Sequence, residues 1–87
     1  MKDWKQQIFA HSEVNPLQTL VEICGTGRVL IECHHGVVEY HRDRILVKVG
    51  FGYICILGSG LQLRQMTKQQ LVICGAIESV NLQREGR

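Results

Sequence analysis

Proline is nearly absent: Pro16 is the only one in 87 residues. Together with nine scattered glycines this excludes collagen-like repeats and proline-rich linkers. Aromatic residues are scarce, 6% of the chain, and do not interleave with the basic side chains, so there is no base-stacking platform for nucleic acid. Charge of one sign is lacking as well. Ten Lys and Arg face eight Asp and Glu, for a net +2, a balance too even for an electrostatic nucleic-acid binder. No apolar run approaches the ~18 residues that span a bilayer. The longest uncharged stretch, after Lys48 and up to Arg64, is broken by Gly50, Gly52, Gly58 and Gly60. An apolar signal region is missing too, because Lys5, Gln6 and Gln7 follow Trp4, so a cytoplasmic setting is expected.

What remains is a small globular chain, 45% hydrophobic. At this length folding buries roughly 60–65% of the unfolded surface, which gives a thin core and little room for a deep substrate cleft. The four cysteines, Cys24, Cys33, Cys55 and Cys74, each sit in an apolar run and show no Cys-x-x-Cys spacing. In a reducing compartment they read as small buried hydrophobes, ahead of disulfides and well ahead of metal ligands.

The first dozen residues differ from the rest. Trp4, Ile8 and Phe9 recur near helical spacing among Lys2, Asp3, Lys5, Gln6 and Gln7, which predicts a short amphipathic helix of about two to three turns. Too short to persist alone, it needs a surface to cover. Its own sheet is the first expectation; a partner or membrane surface is the other, with Trp4, Ile8 and Phe9 as the contact residues. Asn15-Pro16 ends any helix, so residues 1–15 read as helix and linker and 16–87 as the folded domain.

Beyond the proline the period becomes two. Val29, Ile31 and Cys33 oppose Leu30, Glu32 and His34; Ile45, Val47, Val49 and Phe51 oppose Leu46 and Lys48; Ile54 and Ile56 oppose Tyr53, Cys55 and Leu57; Leu61 and Leu63 oppose Gln62 and Arg64. Valine and isoleucine number 17, nearly all inside these runs, and their stiff branched side chains suit a pleated sheet. Turn chemistry separates the runs at Gly25–Gly27, His35-Gly36, His41–Arg44, Gly50–Gly52, Gly58–Gly60 and Thr67–Gln70. This predicts an all-β antiparallel sandwich or rolled sheet of about seven or eight short strands. Tyr53–Leu57 and Leu71–Cys74, apolar on both faces, should be central. The echo Ile-Cys-Gly at Ile23–Gly25 and Ile73–Gly75 keeps a stacked β-solenoid-like roll as the alternative, although its spacing is irregular.

The tightest polar cluster is Glu32-Cys33-His34-His35-Gly36 with Glu39 and His41. A turn at Gly36 could bring His34 and His41 together, with Cys33 and His35 nearby, as a metal or redox site. Alternation works against it, since neighbours on a strand face opposite ways, and a hairpin with solvated histidines is the plainer reading. A Cys–His nucleophile would also need an orienting third group, which the spacing does not supply. Arg42, Arg44, Lys48, Arg64 and Lys68 could line up as a basic stripe, but a solvated sheet face is the favoured reading, because no aromatics interleave with them. No catalytic residue, cofactor or small-molecule substrate is indicated.

From Pro16 to Leu82 the chain resembles the YabP/YqfC family of bacterial sporulation proteins. The resemblance is carried by Val21–Gly25, Arg28–Glu32, His35–Tyr40, Ile45–Val49, Gly52–Gly58, Leu61–Leu63 and Met66–Val80. Its sharper parts are Glu-x-x-His-Gly at Glu32–Gly36 and the glycine pair Gly52 and Gly58. The resemblance implies a non-enzymatic role in endospore formation in a Gram-positive bacterium. It also implies contact with a membrane-embedded sporulation protein at the forespore membrane, with homo-oligomers or filaments through edge strands as a further expectation.

Overall fold

The computed structural model describes residues 18–85. The helix expected over residues 1–15, with Trp4, Ile8 and Phe9, lies outside them. The described chain forms six strands: β1 (Leu20–Cys24), β2 (Arg28–Glu32), β3 (His34–Tyr40), β4 (Arg44–Val49), β5 (Gly52–Met66) and β6 (Gln70–Arg84). They make one sheet in the order β1-β2-β6-β5-β4-β3, every pair antiparallel. There is no second sheet and no parallel stacking among the described residues, so neither a two-sheet sandwich nor the solenoid-like alternative describes the fold.

The strand count is six where the turn signals suggested seven or eight. Gly58–Gly60 and Gly75 bend strands without reversing them. Tyr53–Leu57 and Leu61–Gln65 are two halves of β5, and Leu71–Cys74 and Ile77–Leu82 are two halves of β6. The β5–β6 register shifts between Leu57 and Gly58 and between Ser59 and Gln62, at the bend. Bulges of this kind turn a strand while keeping the ladder. Gly75 takes φ +140°, and a Cβ there would stand 2.7 Å from the Gly60 carbonyl oxygen and 2.9 Å from the Leu61 Cα, so the two strands touch backbone to backbone at the bend.

The bent β5–β6 ribbon carries one short hairpin on each half. β2 pairs with the N-terminal half of β6, through Val29↔Ile73 and Ile31↔Leu71. β4 pairs with the N-terminal half of β5, through Val47↔Ile54 and Ile45↔Ile56. Each flanking turn also hooks onto the bend. The Gly27 and Thr26 carbonyls accept from Gly75 and Ile77 at 3.2 and 2.8 Å, and the Asp43 and Arg42 carbonyls accept from Gly58 and Leu61 at 3.2 and 2.8 Å.

Alternation put one apolar face inward on β2, β4, β5 and β6, and that face is the core, with Val21 of β1 and Val37 of β3 packed against it partly buried. Val29, Ile31, Ile45, Val47, Val49, Ile54, Ile56, Leu61, Leu71 and Ile73 form a single cluster with at most 1% exposure. β2 and β4 have two strands, β6 and β5, between them yet share this cluster, so the sheet curls over on itself. Burying each such side chain contributes about 1.5–3 kcal/mol. Tyr53–Leu57 is covered on both sides at its centre, with Ile54 and Ile56 in the core and Cys55 buried on the opposite face. Leu71–Cys74 is fully covered on the inner side only, since Val72 and Cys74 on the outer face are half-buried.

Candidate functional site

The chain leaves β2 and enters β3 at Cys33, which takes φ +64°, a left-handed conformation uncommon for a residue with a Cβ. Its N–H donates to the Gln69 carbonyl at 2.7 Å, and its own carbonyl accepts from the Thr19 hydroxyl at 3.4 Å. The pivot carries β3 across the end of the β5–β6 ribbon. His34 follows, 8% exposed. Its Nδ1 accepts from the Gly36 N–H at 2.9 Å, and its Nε2 lies 2.8 Å from the Thr67 carbonyl. An accepting Nδ1 and a donating Nε2 define the neutral ring with its proton on Nε2. At the far end of β3 the Tyr40 hydroxyl accepts from the Leu63 N–H at 3.0 Å. Both ends of β3 are thus tied to β5 or its turn, and this side of the curled sheet is shut.

That geometry answers the histidine cluster. Gly36 is inside β3 and does not fold His34 onto His41. The two stand at opposite ends of the strand, roughly 20 Å apart at strand spacing. His35 is exposed, His41 sits in the β3–β4 turn, and both ring nitrogens of His34 are engaged. Cys33, His34, His35 and His41 are not brought together, and no group of three or more His, Cys, Asp or Glu residues among the described residues could hold a metal ion. His34 is also not the solvated turn residue that alternation suggested. It is a buried strap, and sequence could not show this because its partner Thr67 is 33 positions away.

The basic residues do not form a bare stripe. Arg44 on β4 is ion-paired with Glu39 on β3. Lys48 donates to Glu85 Oε1 at 2.6 Å, and its ammonium lies 4.7 Å from the Tyr53 ring centre. These contacts hold the Lys48 ammonium above its ordinary range, the Glu85 hydrogen bond first. Arg42 and Lys68 are in turns, and Arg64 is exposed on β5.

The two rims of the sheet contrast. β3 pairs with β4 through two register shifts, contains Gly36 and carries the Glu39–Arg44 pair. Bulges and charges are what blunt an edge against further pairing. β1, Leu-Val-Glu-Ile-Cys, pairs with β2 in unbroken register and has no bulge, lysine or proline. Leu20 is 50% exposed and Ile23 53%, although Val29, the cross-strand partner of Ile23, is fully buried. Among the described residues the inner apolar face therefore runs out to this rim and stops uncovered. On the outer face, Cys24, Arg28 and Cys74 stand in a row across β1, β2 and β6. Arg28 Nη2 lies 3.7 Å from Cys24 Sγ, so its guanidinium leans toward the open rim, and this contact holds its pKa above the usual arginine value.

Among the described residues, then, the molecule is a small curled antiparallel sheet with one blunted rim, one open rim and no assembled metal centre, a module whose distinctive surface is a strand edge. The family comparison agrees with the resemblance read from the sequence. The YabP family model matches residues 16–87, and the chain belongs to that family, a sporulation-associated group whose members are generally non-enzymatic. No curated protein matches the chain significantly, and no solved structure does.

Proposed function

We propose that this chain is a non-enzymatic sporulation protein that works by protein–protein contact at the developing spore membrane, on the YqfC side of its family. The observation that carries this reading is the open β1 rim. Its backbone N–H and C=O groups offer a ladder to another strand, and Leu20 and Ile23 offer apolar contact beside it. Family membership supports the sporulation setting. The motif order Glu32–Gly36 and Gly52–Gly58 supports the finer placement. The partner we propose is a membrane-embedded sporulation protein, met from the cytoplasmic side at the forespore membrane, with Trp4, Ile8 and Phe9 adding to the contact.

Deletion of the gene in its spore-former tests the role, read by heat-resistant spore counts and microscopy and paired with cross-linking of the tagged protein in sporulating cells. A fall in heat-resistant spores together with a cross-linked membrane protein supports it. Normal spore counts would sink it.

A further inference from the structure

We infer that the β1 rim closes on a second copy of this chain, as a two-fold antiparallel pair centred on Ile23. The inference rests on the reading above that the rim is a contact surface, and it names one occupant. A filament would need two different open edges, each accepting the other. Among the described residues only β1 qualifies, because β3 is bulged and tied down at both ends. In self-association, one open edge can be satisfied only by its own equivalent, which gives a closed dimer and not a filament.

The side chains select the register. A two-fold axis perpendicular to the sheet keeps inner residues beside inner residues, so the axis lies midway between one residue of β1 and the same residue of the second copy. Centred on Glu22, it would set two carboxylates directly opposite, which is destabilising. Centred on Val21, it would set Glu22 against Leu20 of the second copy. Centred on Ile23, it sets the two exposed isoleucines against each other, and Glu22 faces the second copy's Cys24. Behind that cysteine stands the second copy's Arg28, whose guanidinium already reaches over Cys24 toward the rim. Glu22 is exposed and has no ion pair among the described residues. The pairing would therefore form two symmetric Glu22–Arg28 contacts across the axis and cover the end of the inner apolar face.

Light scattering on the purified full-length chain under reducing conditions, over a concentration series, is the test. The expected result is a dimer of twice 9.9 kDa. Ile23→Lys and Glu22→Arg should each weaken self-association at least ten-fold while leaving the circular dichroism of the sheet unchanged. Glu22→Arg combined with Arg28→Glu should restore the dimer. In a Cys24→Ser background, Ile23→Cys should cross-link on oxidation and Val38→Cys on β3 should not. A monomer at every concentration, a dimer indifferent to Ile23→Lys, or a charge swap that restores nothing would overturn the inference. Cross-linking through Val38→Cys in place of Ile23→Cys would do the same. A monomer with a sporulation defect would leave the contact reading intact with a different occupant, whereas a dimer without a defect would fail that reading alone.

Discussion

His34 Nε2 sits 2.8 Å from the Thr67 carbonyl, joining the first residue of β3 to the turn at the tip of the longest hairpin, 33 positions later. The same ring accepts from Gly36 through Nδ1. One buried side chain thus fixes both the pivot out of β2 and the closure of the curled sheet. His34→Ala leaves a backbone donor and a backbone acceptor without their partner and should cost about 1–3 kcal/mol. Urea unfolding followed by circular dichroism measures it. His35→Ala, at the exposed neighbour, should change the midpoint little.

The bend gives a second contrast. At Gly58 a Cβ would fall on the Ala76 carbonyl oxygen, with Leu61 Cδ2 3.1 Å away. Gly58→Ala should cost about 3 kcal/mol or more, or prevent folding, because backbone cannot give way there. At Gly25, φ +58° with open space around the Cβ position, alanine meets only left-handed strain and should cost about 1–2 kcal/mol. Denaturation midpoints of the two variants separate crowding from strain.

Lys48 supplies a pH dependence. Glu85, and then the Tyr53 charge, favour the ammonium, so its folded value lies above the ordinary 10.5. The contribution of the pair is complete below about 10.5 and fades as pH rises through the higher folded value. Glu85→Gln should therefore lower the denaturation midpoint at pH 8, and its deficit relative to the parent should shrink by pH 11.5. Because the pair is exposed, added salt at pH 8 should shrink the same deficit.

Thiol chemistry reads the outer face directly. Cys24 is exposed, Cys33 and Cys74 are half-buried and Cys55 is buried. A chromogenic disulfide reagent should modify Cys24 first in the native protein and reach Cys55 only on unfolding. Cys24→Ser should remove the fastest phase, and equal rates at all four sites would contradict the packing described.

Much of this fold was legible because one signal is strictly local. Ile45, Val47 and Val49 are buried and Lys48 is not, as a period of two requires. The central place of Tyr53–Leu57 and Leu71–Cys74 was legible for a similar reason, since only covered strands can be apolar on both faces. Glycine was ambiguous: Gly25 and Gly27 flank a reversal, whereas Gly58, Gly60 and Gly75 bend strands that continue, and composition does not distinguish the two. Histidine was misread because its setting depends on residues remote in sequence. The open rim was invisible from sequence for the same reason. Leu20–Cys24 reads like any other strand until the sheet order places it last.

The doubled-over ribbon of β5 and β6 has a consequence for how the molecule comes apart. Its two strands run through both ends of the sheet, and each outer hairpin is pinned to their shared fold. Neither end can melt and leave the other whole, because each would take half of the same ribbon with it. Amide exchange should find one cooperative unit, in which protection along β5 and β6 rises and falls together.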